Sequence, residues 1–437
     1  MNQARRSIDW SFEALWGLFV DMVQAVSQQD DLCIIIDALD ECVDECGLVL
    51  LENLTDLSKQ FAYDGDDGNP PRLIVTGRRE ELVFDLIEPS QHLEIKPEDT
   101  KTDLHSLVLD GVRTLATRRS LGAEIQDVIR HTLQNEADGM FIWVVLILKE
   151  LATRDRRITE ESVLAKLKSL PRKLADIYES ILESTPGSRR REFWTIIRWL
   201  LYARGQLGPR LLRELVCAEL DIPTWQDFEA DVAVVCGSFI QIEAAKVSLI
   251  HQSARDFLLQ HIRNVTPSET SNIDLSASQA EAALAEVCIT ILLKDNKIQS
   301  LGYGKKFPRS GKGFQAMRDF VKEHPTFAYA AQHWADHLYH VQTVSPELLA
   351  LTKKLLLKQN ARDAIMRLNY NFRYPGQLGC PADASTLHLA SYFGLHFLLE
   401  AVIKEGCNVN LTSNASDSPL IWAAEMGSLK CAETLLQ

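Results

Sequence analysis

Between residues 10 and 27 apolar side chains recur at helical spacing (Trp10, Ala14, Leu15, Leu18, Met22, Val26), which predicts a helix. The texture then changes. "LCIIID" is a nearly continuous apolar run that ends in acid at Asp37, the pattern of a strand buried on both faces of a parallel sheet. "DECGLVLLENLTDLSKQFA" (44–62) returns to helical spacing. "YDGDDGNPP" (63–71) holds Gly, Asn and Pro as breakers and reads as a loop. "RLIVTGRR" (72–79) predicts a second buried strand, and "HLEIKP" (92–97) a shorter third one. Strand, helix, strand predicts a βαβ unit and a parallel sheet.

From residue 100 to 200 the pattern is almost wholly helical. Pro171 opens "RKLADIYESIL", with Leu174, Ile177, Tyr178 and Ile181 on one face. Helical "FWTIIRWLLYA" and "RGQLGPRLLRELVCAEL" follow. "SFIQIE" (238–243) and "KVSLIHQS" (246–253) are strand-like and separated only by two alanines, which predicts a hairpin with a tight turn. "SARDFLL" begins a closing helix, with Ser253 and Asp256 placed as a capping-box variant. Helices, a two-stranded wing and a helix describe a winged helix. "RNVTPSETSNIDLSASQ" (263–279) is polar and reads as a linker. Helices resume at 280–294 and around 313–360, with a Gly/Lys-rich loop (301–313) between.

The C-terminus carries a repeat. "STLHLASYFG" starts at Ser385 and "SPLIWAAEMG" at Ser418, and Leu387/Leu420, Ala390/Ala423 and Gly394/Gly427 all match at an offset of 33 residues. That period with a "TLHLA" start is the ankyrin signature. Such units bury their faces only by stacking, about three or more together. We therefore expect the array, and the chain, to continue past "ETLLQ".

Composition narrows the class. The 437 residues are 46% hydrophobic and 24% charged, enough for several folded domains. The net charge of −14 argues against a nucleic-acid surface built on bulk charge, so we expect no nucleic-acid partner. Nine scattered cysteines form no CxxC pair, which suits small buried hydrophobes in a reducing compartment. The longest apolar run, "MFIWVVLIL" (140–148), falls short of the roughly 20 residues of a membrane span. We expect a cytoplasmic protein without a membrane span.

The candidate chemistry lies in "DDLCIIIDALDEC". Asp37 ends a buried strand, where ligands bind in an open parallel sheet. In phosphate-loop enzymes a carboxylate there helps to hold Mg²⁺, and a nearby acid orients the attacking water. Asp37 is thus the candidate metal-side residue, with Asp40 and Glu41 for water activation. Thr76 or Arg78, at the second strand end, would read the terminal phosphate. The alternative is an acid that caps the next helix. The partner motif GxxxxGK[ST] occurs nowhere: "GYGKKF" (302–307) and "SGKGF" (310–314) lack its spacing, and only Gly17 precedes Asp37. We expect no bound nucleotide or other cofactor for this chain alone. His333, His337 and His340 share a helix face, read as a face with partly buried aromatics rather than a metal site.

Together these residues resemble the fungal relatives of NACHT-type signalling NTPases of NOD-like-receptor (STAND) architecture. "IIIDALDEC" and "LIVTGRRE" look like the second half of a nephrocystin-type P-loop domain. "ADGMFIWVVLILKEL" and "LPRKLADIYESIL" resemble the helical segment after it. "GSFIQIEAAKVSLIHQSARDFLL" resembles the winged helix named after GPI inositol-deacylase, and "FAYAAQHWADHL" (327–338) a segment just ahead of such ankyrin arrays. The resemblance implies Mg·ATP or Mg·GTP in intact relatives, with the phosphate loop upstream of the sequence present here. It matches Asp37, Asp40 and Glu41 to the acidic motif and Arg78 to the arginine of a "TSRPE"-like segment, although Gly77 stands for Ser and Arg79 for Pro. Gly139 falls where related switches carry a Gly-Leu-Pro-Leu turn, here without its proline. His251 falls where they carry a diphosphate-sensing histidine; a packing histidine beside Ser253 is the other reading.

The expected chain is mainly α and multidomain. It has a partial P-loop α/β domain with a parallel sheet and no Walker A motif (1–98), a helical segment (99–185) and a winged helix (186–262). A linker (263–279), an α-helical connector (280–380) and ankyrin repeats (381–437) follow. The expected function is NOD-like-receptor-type signalling with protein ligands on the ankyrin face and homo-oligomerisation. The competing expectation is a non-enzymatic ankyrin scaffold with an inert NACHT remnant.

Overall fold

A computed structural model of the chain describes residues 12–27, 31–39, 45–63, 72–77, 93–152, 160–168, 170–243, 245–264, 276–294, 311–358, 361–362, 365–366, 368–369, 384–413 and 417–437. These residues are mostly helical with a few short strands, as expected for a mainly α chain. They fall into two units, residues 1–110 with 137–141, and residues 111–136 with 142–437.

In the first unit helix α1 (Phe12–Ser27) precedes strand β1 (Cys33–Ile36), helix α2 (Glu45–Tyr63) and strand β2 (Arg72–Val75). The strands pair in parallel, Cys33 with Arg72 through Ile36 with Val75, but among the described residues they are not buried on both faces as the apolar runs predict: alternate residues face water, with Ile35 66% and Ile74 49% exposed. Leu51, Leu54 and Leu57 of α2 are buried, one helical face of its pattern. Among the described residues the third expected strand does not appear; His92, its first residue, lies outside them. Residues 93–96 adopt no strand, with Leu93 91% and Ile95 71% exposed. Their alternation imitates a strand, but here it leads into a turn in which the Lys96 amide donates to Asp99 (2.9 Å). Helix α3 (Lys101–Arg119) follows.

The second unit continues with α4 (Ala123–Glu136), α5 (Phe141–Ala152), α6 (Glu160–Lys168) and α7 (Leu174–Ser184). The apolar run noted above is α5, and Trp143, Val144, Leu146 and Ile147 are buried in it. The Trp143 indole donates to the Pro171 carbonyl at 2.9 Å, so even its one polar atom is paired.

Helices α8 (Arg190–Tyr202), α9 (Pro209–Leu220) and α10 (Phe228–Cys236) precede a hairpin of β3 (Ile240–Glu243) and β4 (Lys246–Leu249) and then helix α11 (Gln252–Asn264). The hairpin is antiparallel with Glu243 opposite Lys246, and Leu207 bridges to Val247 as a short third rung. Phe239, fully buried, anchors it with ring centroids 5.4 Å from Tyr178, 5.8 Å from Phe193 and 6.2 Å from Phe257. The helix cap differs from the expected one. Helix α11 starts at Gln252, and His251 is the residue before it. The Ser253 amide donates to His251 Nδ1 at 3.1 Å, so the imidazole does the capping.

Helices α12 (Ala277–Lys294), α13 (Gly311–Glu323), α14 (Pro325–Tyr339) and α15 (Pro346–Leu357) follow. Helix α13 takes in Gly311–Gly313, a stretch whose glycines predict loop. Ser345 caps α15 by accepting the Leu348 amide, with Pro346 at the first helical position.

The C-terminal repeat is two helix pairs: α16 (Thr386–Tyr392) with α17 (His396–Lys404), and α18 (Pro419–Glu425) with α19 (Leu429–Leu436). Gly394 and Gly427 turn each pair at φ 70° and 64°, the left-handed region that glycine enters without steric cost. His388 fixes the stacking. Its Nδ1 lies 3.2 Å from the Ser385 amide nitrogen, and its Nε2 lies 3.0 Å from the Asp417 carbonyl at the start of the second pair. No described helix is long and apolar enough to cross a membrane.

Phe239→Ala should cost about 3–5 kcal/mol, because it leaves a ring-sized cavity at the hairpin base. Leu93→Ser should stay within about 0.5 kcal/mol, because its side chain is already in water. Chemical denaturation followed by tryptophan fluorescence checks both.

Candidate nucleotide-facing strand end

The parallel pairing brings Asp37 and Thr76 together at the carboxyl ends of β1 and β2. The ladder runs one step past the strands, with the Thr76 amide donating to Ile36 O (2.9 Å). The chain then turns sharply. Ala38 has φ 54°, and the Leu39 amide comes back to Thr76 O at 2.9 Å. A non-glycine residue in that region costs on the order of 1 kcal/mol, and it is held by what surrounds it. Here the holder is Thr76, whose Oγ1 accepts the Ala38 amide at 2.9 Å.

The Thr76 hydroxyl donates to Asp37 Oδ1 at 2.5 Å. A hydroxyl has one proton to give. While Thr76 orients Asp37, that proton is committed and cannot also reach a phosphate. Asp37 and Thr76 are both exposed, so the carboxylate stands open to water at the edge where a ligand of a parallel sheet would lie. A single oriented carboxylate suits an outer contact to a hydrated Mg²⁺. Phosphate, in contrast, needs backbone N–H groups and a cation. Asp40, Glu41 and Arg78 lie outside the described residues.

Gly139 has a geometric reason of its own. Its φ is +76°, and a side-chain carbon there would sit 2.9 Å from Pro97 Cβ. The turn after Asp138 therefore requires glycine whether or not it touches a base.

His251 belongs to the second unit. Its Nδ1 lies 2.8 Å from Ser253 Oγ, and that oxygen lies 2.9 Å from the Tyr178 hydroxyl. The group ties α7 to the start of α11, and the capping just described is the role visible for this histidine.

The chain is 30% identical over 256 residues to the vegetative incompatibility protein HET-E-1 of Podospora anserina. That alignment covers 56% of this chain and 18% of that protein, so the chain spans less than a fifth of its relative's length. No family model and no solved structure matches the chain.

Sequence reading missed the buried polar groups of the second unit. Arg198 and Glu219 form an ion pair with 9% of each side chain exposed, and the Trp199 indole donates to the same carboxylate at 2.7 Å. Burial pushes the Glu219 carboxyl up, and Arg198 and the indole oppose the shift. Arg204, Glu281, Tyr329 and His337 form a second such group. The available signal was charge at apolar helical positions, as in "QAEAALAEVC" around Glu281.

Thr76→Val removes the acceptor for the Ala38 amide and the donor to Asp37 while keeping the shape. We expect a loss of about 1 kcal/mol in the first unit. The amide of Ala38 should exchange faster in the variant, with the Leu39 amide much less affected, as read by NMR hydrogen exchange.

Proposed function

We propose that the chain is a stretch of a NOD-like-receptor-type (STAND) signalling protein, acting in intracellular recognition through protein partners. The observation that carries the proposal is the likeness to a fungal incompatibility protein over more than half of the chain. Three features support it. The parallel strand pair ends in an oriented acid, Asp37, as a NACHT-like nucleotide domain requires. Helices α8 to α10, a hairpin with a third rung and α11 have the make-up of a winged helix. The two glycine-turned helix pairs at a 33-residue offset suit ankyrin repeats, whose exposed face would take the protein ligand.

On this reading residues 1–98 form the NACHT-like fragment, 99–185 the helical segment and 186–262 the winged helix. Residues 263–279 are the linker, 280–380 the connector and 381–437 the ankyrin pairs. In the intact protein, Asp37 would hold Mg²⁺ of a bound ATP or GTP through water. Asp40 and Glu41 would act on the attacking water, and Arg78 on the terminal phosphate. His251 would be placed to sense the diphosphate. Homo-oligomerisation would follow opening, in the cytoplasm. The chain by itself binds no nucleotide, because its sequence holds no GxxxxGK[ST]. The lack of that motif also favours a second reading, an interaction scaffold in which the NACHT-like fragment is inert.

Calorimetry separates the two. Titration of this chain with Mg·ATP or Mg·GTP should give no saturable heat. A micromolar Kd abolished by Asp37→Ala would overturn that expectation. Supplying a strand–GxxxxGK[ST]–helix segment ahead of Phe12 should create Asp37-dependent binding under the switch reading. A folded chimera without such binding leaves the scaffold reading standing.

A further inference from the structure

We propose that Arg204, Glu281, His337 and Tyr329 form a protonation-sensitive latch joining the hairpin-bearing segment to the connector helices. Arg204 lies just after α8, Glu281 is on α12, and Tyr329 and His337 are on α14. The Arg204 guanidinium donates to Glu281 Oε1 at 2.7 Å. His337 Nδ1 is 2.6 Å from Glu281 Oε2, and its Nε2 is 3.0 Å from the Tyr329 hydroxyl. The Arg204 amide lies 3.0 Å from that hydroxyl. His337 is fully buried and the Glu281 side chain is 7% exposed, so water offers no substitute partners.

Donors and acceptors close in one arrangement. An amide can only donate, so Tyr329 Oη accepts from Arg204. Its own proton then goes to His337 Nε2, which must be bare. The imidazole proton sits on Nδ1 and goes to Glu281, which also accepts from Arg204. Every polar atom in the ring of contacts is satisfied, with one positive and one negative charge.

A second proton on His337 breaks this closure. Nε2–H would turn to Tyr329 Oη as a donor, and the phenolic proton would lose its acceptor. It would also place a cation beside Arg204, partly offset by the Glu281 carboxylate. The other groups facing the site offer little relief. Trp199 packs edge-on with its ring centroid 6.4 Å away. Tyr202 and Cys288 lie near enough to couple electrostatically with Glu281 and Tyr329 respectively. On α14 itself, His333 is paired with Asp336, and His340 Nδ1 lies 3.1 Å from Arg204 and 2.7 Å from the Asp336 carbonyl.

Burial holds the His337 imidazole below the ordinary histidine range, opposed by its bond to Glu281. The sign follows. The fold favours neutral His337, so the latch is intact above the unfolded value of about 6.5 and weakens as pH falls from there through the folded value.

The full chain should be followed by hydrogen exchange at the Arg204 amide, corrected for intrinsic rates, together with the ¹⁵N shifts of His337. At about pH 7.5 His337 should be the neutral Nδ1–H tautomer and the Arg204 amide protected. As His337 gains its second proton, that protection should fall by about tenfold or more. His337→Asn should remove the pH dependence, and Tyr329→Phe should leave Arg204 poorly protected at either pH. Protection that persists through His337 protonation overturns the proposal. So does a His337 that carries its proton on Nε2 at neutral pH, or stays neutral until the chain unfolds. The shift measurements need only the native chain, so they decide even if a variant fails to fold.

Discussion

Arg198 and Glu219 face each other with a tenth or less of either side chain in water, and the Trp199 indole completes the pair. Just past the end of the same helix, the Arg204 guanidinium, 28% exposed, meets the buried Glu281 carboxylate. Loss of one partner from such a buried pair leaves the other unsolvated at a cost of about 3–5 kcal/mol. Helices α8, α9, α12 and α14 must therefore meet in one register. Hydrophobic contact alone would tolerate small slips, because it is non-directional. The paired charges do not: Arg198 ties α8 to Glu219 of α9, and Arg204 ties the end of α8 to Glu281 of α12 in the connector.

The polar joints and the stack around Phe239 are buried, paired contacts. The strand end in the first unit has the opposite character: a carboxylate, a hydroxyl and a left-handed alanine, all near water and held by few bonds. Asp37 and Thr76 form an orienting pair. The functional reading rests on likeness to an incompatibility protein, with the strand end in support.

Much of this architecture is legible in the residues. The apolar runs of β1 and β2 predict the parallel pair, but the burial of both faces that such runs also predict is not seen, because Ile35 and Ile74 face water. Two alanines between strand-like runs predict the hairpin. The 33-residue offset predicts the helix pairs, with their glycines at matching turns. Leu93 and Ile95 mislead, because alternation alone says nothing of whether a partner strand exists. The residue pattern points to Ser253 as the cap of α11, since histidine is an uncommon cap and its ring reaches the Ser253 amide only in this local geometry. The Thr76 side chain reads as facing phosphate, and only coordinates show its proton spent on Asp37. His337 reads as lying on a half-buried face, because its partners Glu281 and Arg204 are remote in sequence, and pairing across such distances leaves no local pattern.

The Arg204–Glu281–His337 contacts tie the hairpin-bearing segment to the connector helices, which should then open as one cooperative body. Native-state hydrogen exchange across a denaturant series tests it most directly. The slowest amides of α8, α9, α12 and α14 should merge onto one opening curve with a common free energy and denaturant slope. Amides of α12 and α14 that open at distinctly lower denaturant than those of α8 and α9 would contradict the account.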